Sequence, residues 1–133
     1  MAVAGEPALR GDCNMEKINA QGFSSEAYKT PAGSTVEITG WVLDTPSSGV
    51  PQAAFIRAAS DDGKRVWYAP VNLTMDRADV AALRGGNEAY RRSGYVAKIK
   101  TSGLPAGTYR LQVIYAGKSE KAICDNGRVI VIS

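Results

Sequence analysis

Carboxylates and arginines crowd residues 75–99, "MDRADVAALRGGNEAYRRSGYVAKI", in a chain that otherwise alternates in short stretches. Asp76 and Asp79 are spaced i to i+3, which on a helix brings both carboxylates to one face. A close carboxylate pair is what acid/base glycoside hydrolysis requires. Together with Asp44, Asp61 and Asp62 they are the residues from which a minor hydrolase could draw its pair. The same Asp76 and Asp79, joined by Asn72 or Asn87, offer the oxygen ligands that calcium prefers, but the spacing matches no calcium loop. Asp61 and Asp62 fall in a turn and Asp44 ends a strand, where solvated carboxylates are ordinary. For Asp76 and Asp79 the simpler role is structural, with Asp76 as N-cap and both complementing a helix dipole.

Histidine is absent, so neither a Ser-His-Asp nor a Cys-His arrangement can be assembled. The two cysteines, Cys13 and Cys124, are too few for a tetrahedral zinc site. They can be buried free thiols or a disulfide tying the first strand to one of the last. Cysteine usage in small exported domains favours the disulfide. The chain therefore reads as a non-enzymatic protein with no metal and no cofactor.

Binding chemistry is better represented. Trp41, Trp67, Tyr68, Tyr90 and Tyr95 supply rings on which a sugar or a protein side chain can stack. Arg91 and Arg92, with Arg84, make a local basic cluster that could steer an anionic partner. Trp41 shares its strand face with Glu37 and Thr39, although sandwiches commonly bury one large aromatic between their sheets. Two short motifs complete the inventory. "RGD" at 10–12 is the tripeptide integrins recognise, and "NLT" at 72–74 satisfies the N-glycosylation rule.

The elements that position these residues are mostly strands. "TVEITGWVLD" (35–44) points Val36, Ile38 and Val42 one way and Thr35, Glu37, Thr39 and Trp41 the other. "AAFIRAAS" (53–60) and "KRVWYAPV" (64–71) form a hairpin about "DDG". "SGYVAKIKT" (93–101) and "GTYRLQVIYA" (107–116) repeat the alternation, facing Tyr95, Ala97 and Ile99, then Tyr109, Leu111, Val113 and Tyr115. "SEKAICD" (119–125) and "RVIVIS" (128–133) read as two last strands separated by the turn "DNG", and "CNMEKIN" (13–19) as a weaker first one. Seven or eight short strands predict an all-β sandwich. Residues 13–133 form its single domain, with 1–12 as a flexible arm. "SGLPAGTYRLQV" leads a Gly-rich corner into Tyr109, as in a tyrosine corner. A short crossover helix near residues 76–84, ended by Gly85-Gly86, passes between the two sheets.

A chain of 133 residues suits one domain with its own core. Its net charge of +3 is mild and scattered, which argues against nucleic acid as a partner. No stretch reaches the eighteen or so apolar residues that cross a bilayer. The amino end, "MAVAGEPALRGDC", lacks the layout of a signal peptide, and Asp12 before Cys13 spoils a lipoprotein cleavage box.

"GWVLD", "DRADVAAL", "SGYVAKI" and "LPAGTYRLQVI", in that order, resemble the immunoglobulin-like or fibronectin-III-like domains of bacterial exported and cell-envelope proteins. Some of those domains are appended to enzymes that handle surface glycans. The resemblance spans about residues 35 to 115 and brings no catalytic residue. It implies an immunoglobulin-like Greek-key arrangement and a periplasmic, cell-surface or secreted location. The implied use is adhesive, accessory or scaffolding, with an envelope or host protein, or a surface glycan, as partner.

Overall fold

A computed structural model of the chain describes residues 9–10, 12–24, 26–45, 48–116 and 121–133, with the side chains of 9 and 10 excepted. Strands β1 (Leu9–Arg10), β2 (Asp12–Ile18), β3 (Gln21–Gly22), β4 (Tyr28–Thr30) and β5 (Thr35–Leu43) come first. They are followed by β6 (Ala53–Ser60), β7 (Val66–Pro70), β8 (Asn72–Met75), a helix α1 (Ala78–Leu83), and β9 (Gly94–Lys100), β10 (Gly107–Ala116) and β11 (Lys121–Ile132). Two sheets result. The first runs β1-β11-β10-β6-β7, with β4 also paired to β11, and the second runs β3-β2-β5-β9-β8. The protein is an all-β two-sheet sandwich.

Alternation builds its core. Val36, Ile38 and Val42 from β5 meet Tyr95, Ala97 and Ile99 from β9 in one layer. Leu111, Val113 and Tyr115 from β10 with Ile130 and Ile132 from β11 form the other. Tyr109 packs inward at the start of β10, and its hydroxyl donates to the Pro105 carbonyl four residues upstream. Cys13 on β2 and Cys124 on β11 form a disulfide that joins the two sheets through this core.

Three expectations from the sequence are corrected by the structure. The last two strands are one. β11 continues through "DNG", because Leu111 pairs with Arg128 while Val113 pairs with Cys124. Two extra residues are thus absorbed as a bulge opposite Gln112, and Gly127 takes the positive φ of 72° that this requires. The helix is not a crossover. It joins β8 to β9, which are antiparallel neighbours within the second sheet. The chain changes sheets earlier, between Pro70 and Asn72, with Val71 as the only residue between β7 and β8.

Asp76 does not occupy the N-cap position of α1. Arg77 does, without a side-chain cap bond, while Asp76 binds Arg91 instead. Strand pairing is also present within residues 9–12. Leu9 and Arg10 pair in parallel with Ala122 and Ile123, and Asp12 already faces Leu43. Residues 1–8 and Gly11 lie outside the described residues, and with them most of the expected arm and the centre of the RGD tripeptide.

Candidate functional site

The connector after β8 folds onto the outer face of the second sheet. Leu43, turned away from the sandwich core, meets Val80 and Ala81 of α1 and Tyr90 of the following 3-10 turn. Trp41 packs alongside this small second cluster. Alanine-rich sequence favours the helix, which Gly85 and Gly86 end at positive φ, the Gly86 amide returning to the Ala81 carbonyl. Leu83 stays 76% exposed.

Ion pairs hold this connector down. Arg77 bridges Glu16 of β2 at 2.6 Å and Asp79 at 2.8 Å. Arg84 reaches Asp12 at 2.9 Å, and Arg91 holds Asp76 at 2.6 Å and Glu88 at 3.5 Å. A hydrolytic acid needs a carboxyl raised toward neutrality, whereas Asp76 and Asp79 are driven the other way. Hydrogen bonds from Arg77 hold Asp79 down at about 2, and Arg91 lowers Asp76. Asp62 is lowered by the Ser60 hydroxyl and the Lys64 amide in the β6–β7 turn. Asn87 is occupied in capping Ala89 and donating to the Ser48 carbonyl. Among the described residues no three metal-ligating side chains converge.

A titration follows from the Arg77–Asp79 contact. The folded value of Asp79 lies below its ordinary 3.8, so its contribution to stability is complete above that value. It is lost as pH falls from there toward 2. In Arg77→Gln the Asp79 carboxyl carbon, followed by NMR, is expected to titrate near its ordinary value. A midpoint that stayed near 2 would remove Arg77 as the cause.

The candidate aromatic and basic residues separate into two groups. Trp41, Tyr90, Arg91 and Arg92 lie with the connector on the second sheet. Tyr90 is buried, and Trp41 is half-buried with the Arg84 guanidinium 5.4 Å from its ring centre. Arg84 and Arg91 are already neutralised by carboxylates, which leaves Arg92 as the exposed cation of that cluster without an ion pair among the described residues. Trp67 and Tyr68 lie on β7 in the first sheet. Trp67 turns inward and meets Tyr109 edge-to-face, with centroids 5.5 Å apart. Tyr95 is wholly within the core. Neither indole therefore forms an open stacking platform, and Tyr68 is the exposed ring, at 58%.

Tyr68 has company that the sequence reading missed. Register places Arg57 beside Tyr68 and Gln112 beside Arg57, and in the next row Phe55 beside Pro70 and Ile114 beside Phe55. Phe55 is 39% exposed. An apolar row thus borders a polar one, in which Arg57 donates to Gln112 and Gln112 to Asp125. The available signal was parity. Ala54, Ile56 and Ala58 point into the sandwich, so Phe55 and Arg57 between them must point out.

β7 is also an edge. The Ser60 amide bonds the Arg65 carbonyl, and the Val71 amide bonds the Ala54 carbonyl. Arg65, Trp67 and Ala69 therefore direct their backbone groups at β6, while Val66, Tyr68 and Pro70 direct theirs outward. Pro70 has no N–H to offer. The open ladder thus centres on Val66 and Tyr68.

Fold and surface together define a disulfide-linked all-β sandwich with one exposed edge beside an aromatic outer face. No protein-family model matches the chain, and no curated protein matches it. Among the described residues no helix is long and apolar enough to cross a membrane.

Proposed function

We propose that this chain is a non-catalytic, immunoglobulin-like interaction module of the bacterial cell envelope or secreted fraction, and that it engages a partner protein along β7. The observation that carries the proposal is the coincidence of an open strand edge at Val66 and Tyr68 with the exposed rings of Tyr68 and Phe55. Main-chain groups at a sheet edge recognise another polypeptide, and neighbouring rings add the buried anchor that such contacts rely on. The Cys13–Cys124 bond supports an oxidising compartment. A protein fits this face better than a sugar, because both indoles are engaged within the fold.

The test uses the oxidised chain as bait on envelope extracts at physiological salt. Retained protein is expected to fall by about tenfold or more with Phe55→Ala and Tyr68→Ala together, as for loss of a central aromatic anchor. Both side chains point outward, so the variant should melt like its parent. Empty eluates from the unaltered chain would refute the proposal. Glycan-array signals that disappear in Trp67→Ala would replace the protein partner with a sugar.

A further inference from the structure

Where the chain changes sheets, the sandwich opens as a wedge. β8 occupies the edge beside β9, but pairs only with Gly94, Tyr95 and Val96. The ladder stops there, since Val71 and Pro70 lead away into β7 and Pro70 cannot donate. Among the described residues no strand pairs with that side of β9 from Lys98 to Lys100. The cleft between β7 and this unpaired half of β9 has a volume of about 210 Å³. Trp67, Tyr68 and Pro70 wall it on one side and Lys98 and Lys100 on the other, with Leu104 among its lining. A cleft of this size suits one apolar side chain rather than a run of residues.

Three features of this wedge converge on one kind of ligand. Its lining is largely apolar, with Ile56, Trp67 and Leu104 among the residues that form it. Its β9 wall presents backbone. The Thr101 amide bonds the Ser34 carbonyl on the β5 side, so Ile99 also faces β5 and the backbone groups of Lys98 and Lys100 turn to the open side. Its rim is cationic. Lys98 and Lys100 are exposed, and neither forms an ion pair among the described residues. An open ladder recognises a peptide backbone, an apolar slot of this size takes a single side chain, and paired ammonium groups take a carboxylate.

We infer that the wedge captures the carboxyl terminus of an extended polypeptide. Its last side chain, an apolar one, enters between Trp67 and Leu104. Its terminal carboxylate meets Lys98 and Lys100, and the residues before it run along the open edge of β9. This deepens the interaction reading above, and rests on it, by naming the part of the partner that is read.

The experiment uses the oxidised chain and pools of labelled peptides, each about nine residues long and randomised except for a last Leu, Val, Phe or Tyr. Each pool is prepared with a free carboxylate and as the carboxamide, and binding is followed by anisotropy. The free acids are expected to bind, and the carboxamides to bind at least about tenfold more weakly, as loss of a charge-assisted contact implies. Lys98→Gln with Lys100→Gln should reproduce that loss on the free acids. Gly103→Leu should block the mouth of the cleft. An added Cβ there meets nothing within 4 Å, so the backbone tolerates the substitution and the thermal midpoint should stay put.

Equal affinity for acids and amides would overturn the inference, as would undiminished binding by both variants. Displacement of the peptides by free glucuronate at similar concentration would reassign the cleft to acidic sugars. If no pool binds while envelope protein is still retained through Phe55 and Tyr68, the wedge assignment falls and the interaction module stands. If neither binds, both fall.

Discussion

Replacing Cys13 and Cys124 together by alanine is expected to lower the unfolding free energy by about 3–5 kcal/mol, and the thermal midpoint by on the order of 10–15 °C. The bond spans 111 residues of sequence, so in the chain-entropy picture it removes close to the largest loop-closure entropy that one cross-link can take from an unfolded chain of this length. It also links different sheets, β2 of the second to β11 of the first, so losing it loosens the sandwich rather than one hairpin. Urea melts of the oxidised parent and the double variant provide the measurement. The variant should show an earlier midpoint and a steeper dependence on urea, because its unfolded state exposes more surface. Reduction of the parent should reproduce the shift. Two melts that superimpose within about 1 kcal/mol would show that the cross-link constrains little.

The variant should nonetheless fold, because polar contacts repeat the connection. The bulge that follows Cys124 projects Asn126 across to β2, where its carboxamide accepts from the Met15 amide at 2.8 Å and donates to the Cys13 carbonyl at 3.1 Å. Arg128, just past the bulge, donates to the Met15 carbonyl at 2.8 Å and the Asn14 side chain at 3.1 Å. These side chains satisfy the part of β2 that β3, two residues long, leaves uncovered. A regular hairpin at "DNG" would have directed Asn126 into solvent. The bulge is what turns a surface turn motif into a seam between the sheets.

That seam also shows what the sequence could convey and what it could not. The central strands were legible because burial on one face imposes a period of two, and "AAFIRAAS" and "GTYRLQVIYA" fall on β6 and β10 end to end. The disulfide was legible from the cysteine count and from how small exported domains use cysteine. "DNG" was misread because a turn tripeptide carries the same positive-φ requirement whether the chain reverses or bulges. Only the partner strand decides, and Gln112 is far away in sequence. The helix was seen, but not its destination, since Ala-Val-Ala-Ala-Leu states that something apolar lies beneath it and not which sheet. β1, β3 and β4 are two or three residues long and have no period to detect.

Candidate site residues were the least legible. Trp41 and Trp67 attract attention by type, yet both are engaged with neighbours. The surface that stays open is set by Phe55 and by the broken pairing of β9, which depend on register.

Gly40→Ala is the other change expected to have a large effect, at about 3 kcal/mol or more of lost stability. Gly40 lies in the middle of β5, paired to Met15 on one side and Tyr95 on the other. A glycine inside a strand marks a bulge or a close approach, and here both occur. β2 shifts register between Met15 and Lys17, and a methyl group on Gly40 would lie well inside contact distance of the Asn14 carbonyl. It would also come within 3.0 Å of the Tyr95 hydroxyl. Backbone cannot swing aside as a side-chain end can, so β2 and β5 must separate where the Arg128 contacts hold β2.

Gly103→Ala is the control. Nothing lies within 4 Å of its added carbon, and a change within about 0.5 kcal/mol is expected. Adding Tyr95→Phe to Gly40→Ala separates the two obstructions. It removes a buried hydroxyl that has no described partner and relieves the softer contact, but leaves the carbonyl in place. Recovery should therefore be minor, and full recovery in that double variant would make the hydroxyl, rather than the path of β2, the reason for glycine.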